Sequence, residues 1–84
     1  MTEIEVGVVK KFFAKPSVAA IEVTREIQVG DTLWFKGSTT DLKQEVQSMQ
    51  EEKQAITRAV KGQLVGIKVN ERVREKDVVY KVTE

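Results

Sequence analysis

The chain has 84 residues, 40% hydrophobic and 32% charged, and its 14 Lys and Arg nearly cancel 13 Asp and Glu to leave a formal charge of +1. That is room for one small domain, 1–84, with an ordinary soluble balance and no strong field to dictate a nucleic-acid or acidic partner. Cys and His are absent, which excludes disulfides, thiolate chemistry, zinc sites of the Cys/His type and the commonest general base; no cofactor is expected.

The acidic start Met1-Thr2-Glu3-Ile4-Glu5 reads as neither a signal nor a transit peptide. Apolar runs stop at three or four residues, far short of the ~20 needed to cross a bilayer, so no membrane contact and a cytoplasmic location are expected. A chain this short buries only ~60–65% of its unfolded surface and has no covalent staple, so it needs an efficiently closed core or a partner.

Residues 4–13 mix β-branched and aromatic side chains as a strand does, with Gly7 as a bend or bulge, and Lys15-Pro16-Ser17 breaks the run. Ala19, Ile21 and Val23 alternate with Ala20, Glu22 and Thr24, which predicts a strand with one buried face. Val29-Gly30-Asp31 is a turn, followed by a strand with Leu33 and Phe35 on one face and Trp34 and Lys36 on the other, closed by Gly37-Ser38-Thr39-Thr40. Residues 64–69 and 78–83 are strand-like, separated by a charged connection at 70–77.

Shifting the chain by 46 places Ile21-Glu22-Val23 on Ile67-Lys68-Val69, Ile27 on Val73, Asp31 on Asp77, Leu33 on Val79 and Trp34 on Tyr80. Such an echo is either true pseudo-symmetry or convergence of two strand–turn–strand units; both suit a small barrel. It also sets Lys81 where Phe35 faces inward, whereas plain alternation would turn Val78, Tyr80 and Val82 inward.

Residues 41–60 allow two readings. Leu42, Val46, Met49 and Lys53 to Ile56 approximate a helical stripe and Asp41 with Gln44 resembles a capping box, which favours a helix. The other reading is a strand over 43–51, a charged turn at Glu51-Glu52-Lys53-Gln54 and an extended segment. It is preferred because a barrel of the remaining strands would otherwise be short of a member and expose its edges.

The ordered set Val18-Ala19-Ala20-Ile21-Glu22-Val23, Val29-Gly30-Asp31, Gly62, Val65-Gly66-Ile67-Lys68-Val69, Val73-Arg74, Asp77 and Val79-Tyr80-Lys81-Val82 resembles the second domain of translational GTPases such as elongation factor Tu and initiation factors. With Val46-Gln47-Ser48-Met49-Gln50 added, it is similar to small free-standing elongation-factor-like proteins and to the C-terminal barrel of collagenase-like peptidases, some implicated in RNA modification. The resemblance covers about residues 4–83 and implies an all-β, closed six-stranded barrel of the translation-factor domain 2 type. It departs at the engine: no G-x-x-x-x-G-K-[ST] loop is present, so GTP hydrolysis is not expected. Arg25 stands where family members often carry Gly.

Signatures of catalysis are weak. Ser17, Ser38 and Ser48 have no His to activate them, adjacent Glu51 and Glu52 would point to opposite faces of a strand, and Asp31 and Asp77 read as turn formers. The chain is expected not to be an enzyme. Binding signatures are three basic clusters, Lys10, Lys11 and Lys15, then Arg58 and Lys61, then Arg72, Arg74 and Lys76, together with an outward Trp34 beside Lys36. Converging clusters would bind a phosphate backbone through counterion release; otherwise they are solvating loop charges. Trp34, one of Phe12 and Phe13, and Met49 would form an apolar surface suited to a protein partner or a weak homodimer. The leading expectation is a non-catalytic module contacting ribosomal or other structured RNA. The alternative is a protein-interaction module docking onto a separately encoded enzyme such as a collagenase-like peptidase or RNA-modification enzyme.

Overall fold

The computed structural model describes residues 2–83. Ten strands follow one another: β1 (Thr2–Phe13), β2 (Val18–Val23), β3 (Ile27–Gln28), β4 (Thr32–Lys36), β5 (Asp41–Glu45), β6 (Met49–Glu51), β7 (Gln54–Ile56), β8 (Arg58–Ala59), β9 (Leu64–Lys68) and β10 (Val78–Thr83). Among the described residues there is no helix. An antiparallel eight-stranded sheet runs β5-β4-β10-β1-β2-β9-β6-β7, and β3 pairs with β8 in a separate ribbon.

The helix weighed for 41–60 is absent, and the strand preferred there is split in two. Leu42, Gln44 and Val46 are buried while Asp41, Lys43 and Glu45 are exposed: a period of two that the polar Gln44 disguised as a helical stripe. Residues 46–48 then carry the chain from β5 to β6, and Glu52 and Lys53, both at positive φ (50° and 68°), make the two-residue turn between β6 and β7.

The expected closed six-stranded barrel needs correction. All six anticipated strands form, but among the described residues no ladder joins the two ends of the large sheet. Its seam is held by other means. The Gln44 side chain donates to Lys68 O (2.8 Å) and accepts from Asn70 N (2.7 Å), so a side-chain amide on β5 does what a strand pair would do against the end of β9. Gly30 N donates to Val46 O and Val46 N to Asp31 O, tying the end of β5 to the turn before β4. Inside lies one core, with Ile21, Ile27, Leu33, Phe35, Ile67, Val73 and Val79 all essentially excluded from solvent.

The 46-residue echo is a genuine two-fold in the hydrogen bonding. Gln28 N donates to Asp31 Oδ2 and Arg74 N to Asp77 Oδ2, each at 2.8 Å. Gly30 N to Val46 O and Val46 N to Asp31 O are matched by Lys76 N to Val9 O and Val9 N to Asp77 O. Val23 N to Gln63 O is matched by Val69 N to Ser17 O. The axis passes between residues that face their own echoes across a ladder: Ala20 opposite Gly66, and Trp34 opposite Tyr80. β1, twelve residues long with register shifts at Glu5/Gly7 and Val9/Lys11, does in one bent strand what β5 and β6 do in two.

This symmetry decides the orientation of β10. Val79 is buried and Val78, Tyr80 and Val82 are half-buried on the outer face, so plain alternation fails and the echo holds. Lys81, brought to the inner side opposite Leu33, escapes the core through an ion pair with Asp31 (3.3 Å, both about a quarter exposed).

Candidate partner-contact surface

The outer face of β5, β4, β10 and β1 carries one cross-strand row, Lys43–Trp34–Tyr80–Glu5, and next to it Asp41–Lys36–Val78–Val8. Trp34 and Tyr80 rings sit 5.8 Å apart at 41°, a tilted pair of the kind worth ~0.5–1.5 kcal/mol beyond area burial. Lys36 Nζ lies 4.8 Å and Lys43 Nζ 5.1 Å from the centre of the Trp34 ring. The indole N–H donates to Asp41 Oδ1 at 2.7 Å. These neighbours hold the half-buried indole in place: a pre-ordered aromatic, cheap to bury against a partner because its rotamer is already fixed. Val8 and Val78, both half-buried, extend this patch toward β1.

Trp34 and Lys36 were expected here; Tyr80, Lys43 and Asp41 were missed. The pairing of Trp34 with Tyr80 in the echo was the available signal, because residues related by a two-fold can meet at its axis. Met49 does not join the patch: it is core, 1% exposed, on the inner face against Ile67. Of the adjacent phenylalanines, Phe13 is the exposed one (43%), with Lys11 Nζ 5.2 Å above its ring, and Phe12 packs against the core.

The basic clusters come together only in part. β2 fixes the distances: Gly62 N donates to Val23 O at one end, and Val69 N to Ser17 O at the other. Arg58 and Lys61 thus lie at the end of β2 opposite the 70–77 connection, and Arg58 is paired with Glu26 at 2.7 Å. Lys10 pairs with Glu22 at 3.4 Å on the exposed surface, and Lys15 is exposed in the turn after β1. The 70–77 connection does reach β1: Lys76 N bonds Val9 O, and the Arg72 guanidinium lies 5.9 Å from the Phe12 ring. Phe12, Arg72, Val73, Arg74 and Glu75 line a concavity of about 400 Å³ there.

Fold and surface together define a small all-β domain with a pre-ordered aromatic face. No family model matches the chain. Over 83 residues, 98% of the chain, it is 43% identical to an uncharacterised protease of Methanocaldococcus jannaschii. Over 81 residues, 94% of the chain, it is 36% identical to a collagenase of Porphyromonas gingivalis. The chain spans about a fifth of the length of these curated relatives (20% of each). Its fold is that of the C-terminal domain of a Geobacillus thermoleovorans protein named as a U32 peptidase, with a TM-score of 0.89 at 18% identity over 95% of this chain and 93% of that one. The chain is thus similar in sequence to one fifth of proteins named as a protease and a collagenase, and in fold to the C-terminal domain of a U32 peptidase.

Proposed function

We propose that the chain is a non-catalytic docking domain that uses the Trp34–Tyr80 face to bind the part of a collagenase-like protease lying outside the matched fifth. The observation that carries this is the caged indole: a half-buried Trp in tilted contact with Tyr80, bonded to Asp41 and flanked by Lys36 and Lys43. Buried aromatic anchors of this kind dominate protein interfaces. The similarity to one fifth of such proteases supplies the occupant. The direct test is binding of the purified chain to a collagenase-like protease from which the corresponding segment has been deleted. Binding that tolerates salt and is lost in Trp34→Ala supports the reading; binding unchanged in Trp34→Ala removes this face.

Contact with structured RNA, the function suggested by the likeness to translation-factor domain 2, is a second reading. It is favoured by the meeting of the β1 end with Arg72 and Arg74. It requires binding to ribosomal subunits that falls steeply with salt and weakens on charge reversal at Arg72, Arg74 and Lys76.

A further inference from the structure

The two-fold leaves one position unfilled. After β2, the segment Ile27-Gln28-Val29 is covered by an extended partner: Ile27 pairs with Ala59, Gln28 with Arg58, and Val29 N donates to Thr57 O at 3.0 Å. After β9, the equivalent segment 46 residues on is Val73-Arg74-Glu75, with the same Asx turn closing it through Asp77. The residues 46 earlier than 57–59, Lys11-Phe12-Phe13, answer instead to β6, which ladders to β9 as they do to β2. Those residues are already committed, laddered to β2 as Lys11–Ala20, Phe12–Ala19 and Phe13–Val18. Among the described residues Val73–Glu75 therefore has no strand beside it, and Glu75 N makes no counterpart of the Val29 bond. The place of the missing ribbon is the concavity of about 400 Å³ lined by Phe12, Arg72, Val73, Arg74 and Glu75.

We infer that this vacancy binds a short extended peptide segment with an acidic residue followed by a small apolar one, added as a strand beside Val73–Glu75. The first copy of the ribbon sets the register. Arg58 sits opposite Gln28 and Ala59 opposite Ile27, so the incoming segment places one residue opposite exposed Arg74 and the next opposite buried Val73. Opposite Arg74 the favoured side chain is a carboxylate, because Arg72 and Arg74 outnumber Glu75 among the residues lining the concavity and a guanidinium fork binds a carboxylate in two-pronged fashion. Opposite Val73 the favoured side chain is a small apolar one, by analogy with Ala59 opposite Ile27. The main chain of the segment completes the ladder and supplies affinity, while the two side chains supply selectivity. A phosphate backbone would meet the same two arginines but leave the strand-shaped edge unused, and this favours peptide over nucleic acid. The site is separate from the Trp34 face and stands or falls independently of it.

The test is a titration of isotope-labelled chain, followed by amide resonances, with three probes: an acetylated and amidated peptide carrying Thr-Glu-Ala-Val, its Thr-Lys-Ala-Val counterpart, and an oligouridylate. The acidic peptide is expected to shift the amides of Val73 and Glu75 saturably with a Kd below roughly 1 mM. The lysine peptide is expected to bind roughly tenfold more weakly, and Arg74→Glu, an exposed position that leaves the fold intact, to reverse that order. Equal binding of both peptides, or no shift at Val73 and Glu75 with either, overturns the inference. So does an oligouridylate that moves these amides where the acidic peptide does not.

Discussion

Trp34 and Tyr80 face each other across the β4–β10 ladder with their rings 5.8 Å apart, and they occupy equivalent places in the two halves of the chain. A pseudo-two-fold axis passes between them and leaves the molecule at the opposite ladder, between Ala20 and Gly66. The Trp34–Tyr80 surface therefore lies where the two halves of the protein meet. Its geometry is set by the core alignment of both copies rather than by a loop.

The same symmetry makes a prediction about backbone strain. Gly30 and Lys76 hold the same turn position, with φ of 99° and 73°, but only glycine adopts positive φ without steric cost. Lys76→Gly should raise stability by about 0.5–1 kcal/mol, or several degrees in Tm, whereas Gly30→Ala should lower it by about 1 kcal/mol or more. Thermal unfolding of the two variants checks both signs together.

Gln44 is the second point. Its amide satisfies Lys68 O and Asn70 N at a seam no ladder closes. Gln44→Leu keeps the volume but leaves a part-buried carbonyl and N–H without partners, at a cost of about 1–3 kcal/mol. Urea unfolding should show a lower midpoint with an unchanged slope. An increased stability would mean that the seam is held by packing alone.

What the sequence concealed follows from these residues. Strands with clean alternation, such as Ala19–Ile21–Val23 and Leu33–Phe35, were legible because each buried position was apolar. Residues 41–46 were ambiguous because a buried Gln44 breaks the apolar period and Asp41 mimics a helix cap, although Asp41 actually accepts from the Trp34 indole. The orientation of β10 was hidden because Lys81 occupies an inner position made tolerable only by Asp31, fifty residues away in sequence. Two residues of the aromatic face, Trp34 and Lys36, were legible; Tyr80, Lys43 and Asp41 required the strand register.

A third prediction concerns Gly37. A Cβ there would stand 1.9 Å from Asp77 Oδ1, and the Asp77 carboxylate is the buried acceptor that closes the 70–77 connection through Arg74 N. Gly37→Ala should displace that carboxylate and lower stability by about 2 kcal/mol. Amide exchange should show the loss first at Arg74–Asp77.

On the aromatic face, charge and apolar contact act together. Reversing Lys36 and Lys43 removes the two ammonium groups over the indole and should weaken partner binding about three- to tenfold, with a changed salt dependence. Trp34→Ala should cost binding about 2 kcal/mol or more while leaving the fold intact, since the ring lies on the outer surface.

The chain contains a single Trp, so its fluorescence reports on the central claim without a label. Titrating the chain with a collagenase-like protease lacking its matching segment should shift Trp34 emission to the blue and shield it from a soluble quencher, at low and at physiological salt alike. Saturable binding with Trp34 emission and quencher access unchanged would show that the partner sits elsewhere and would contradict the account.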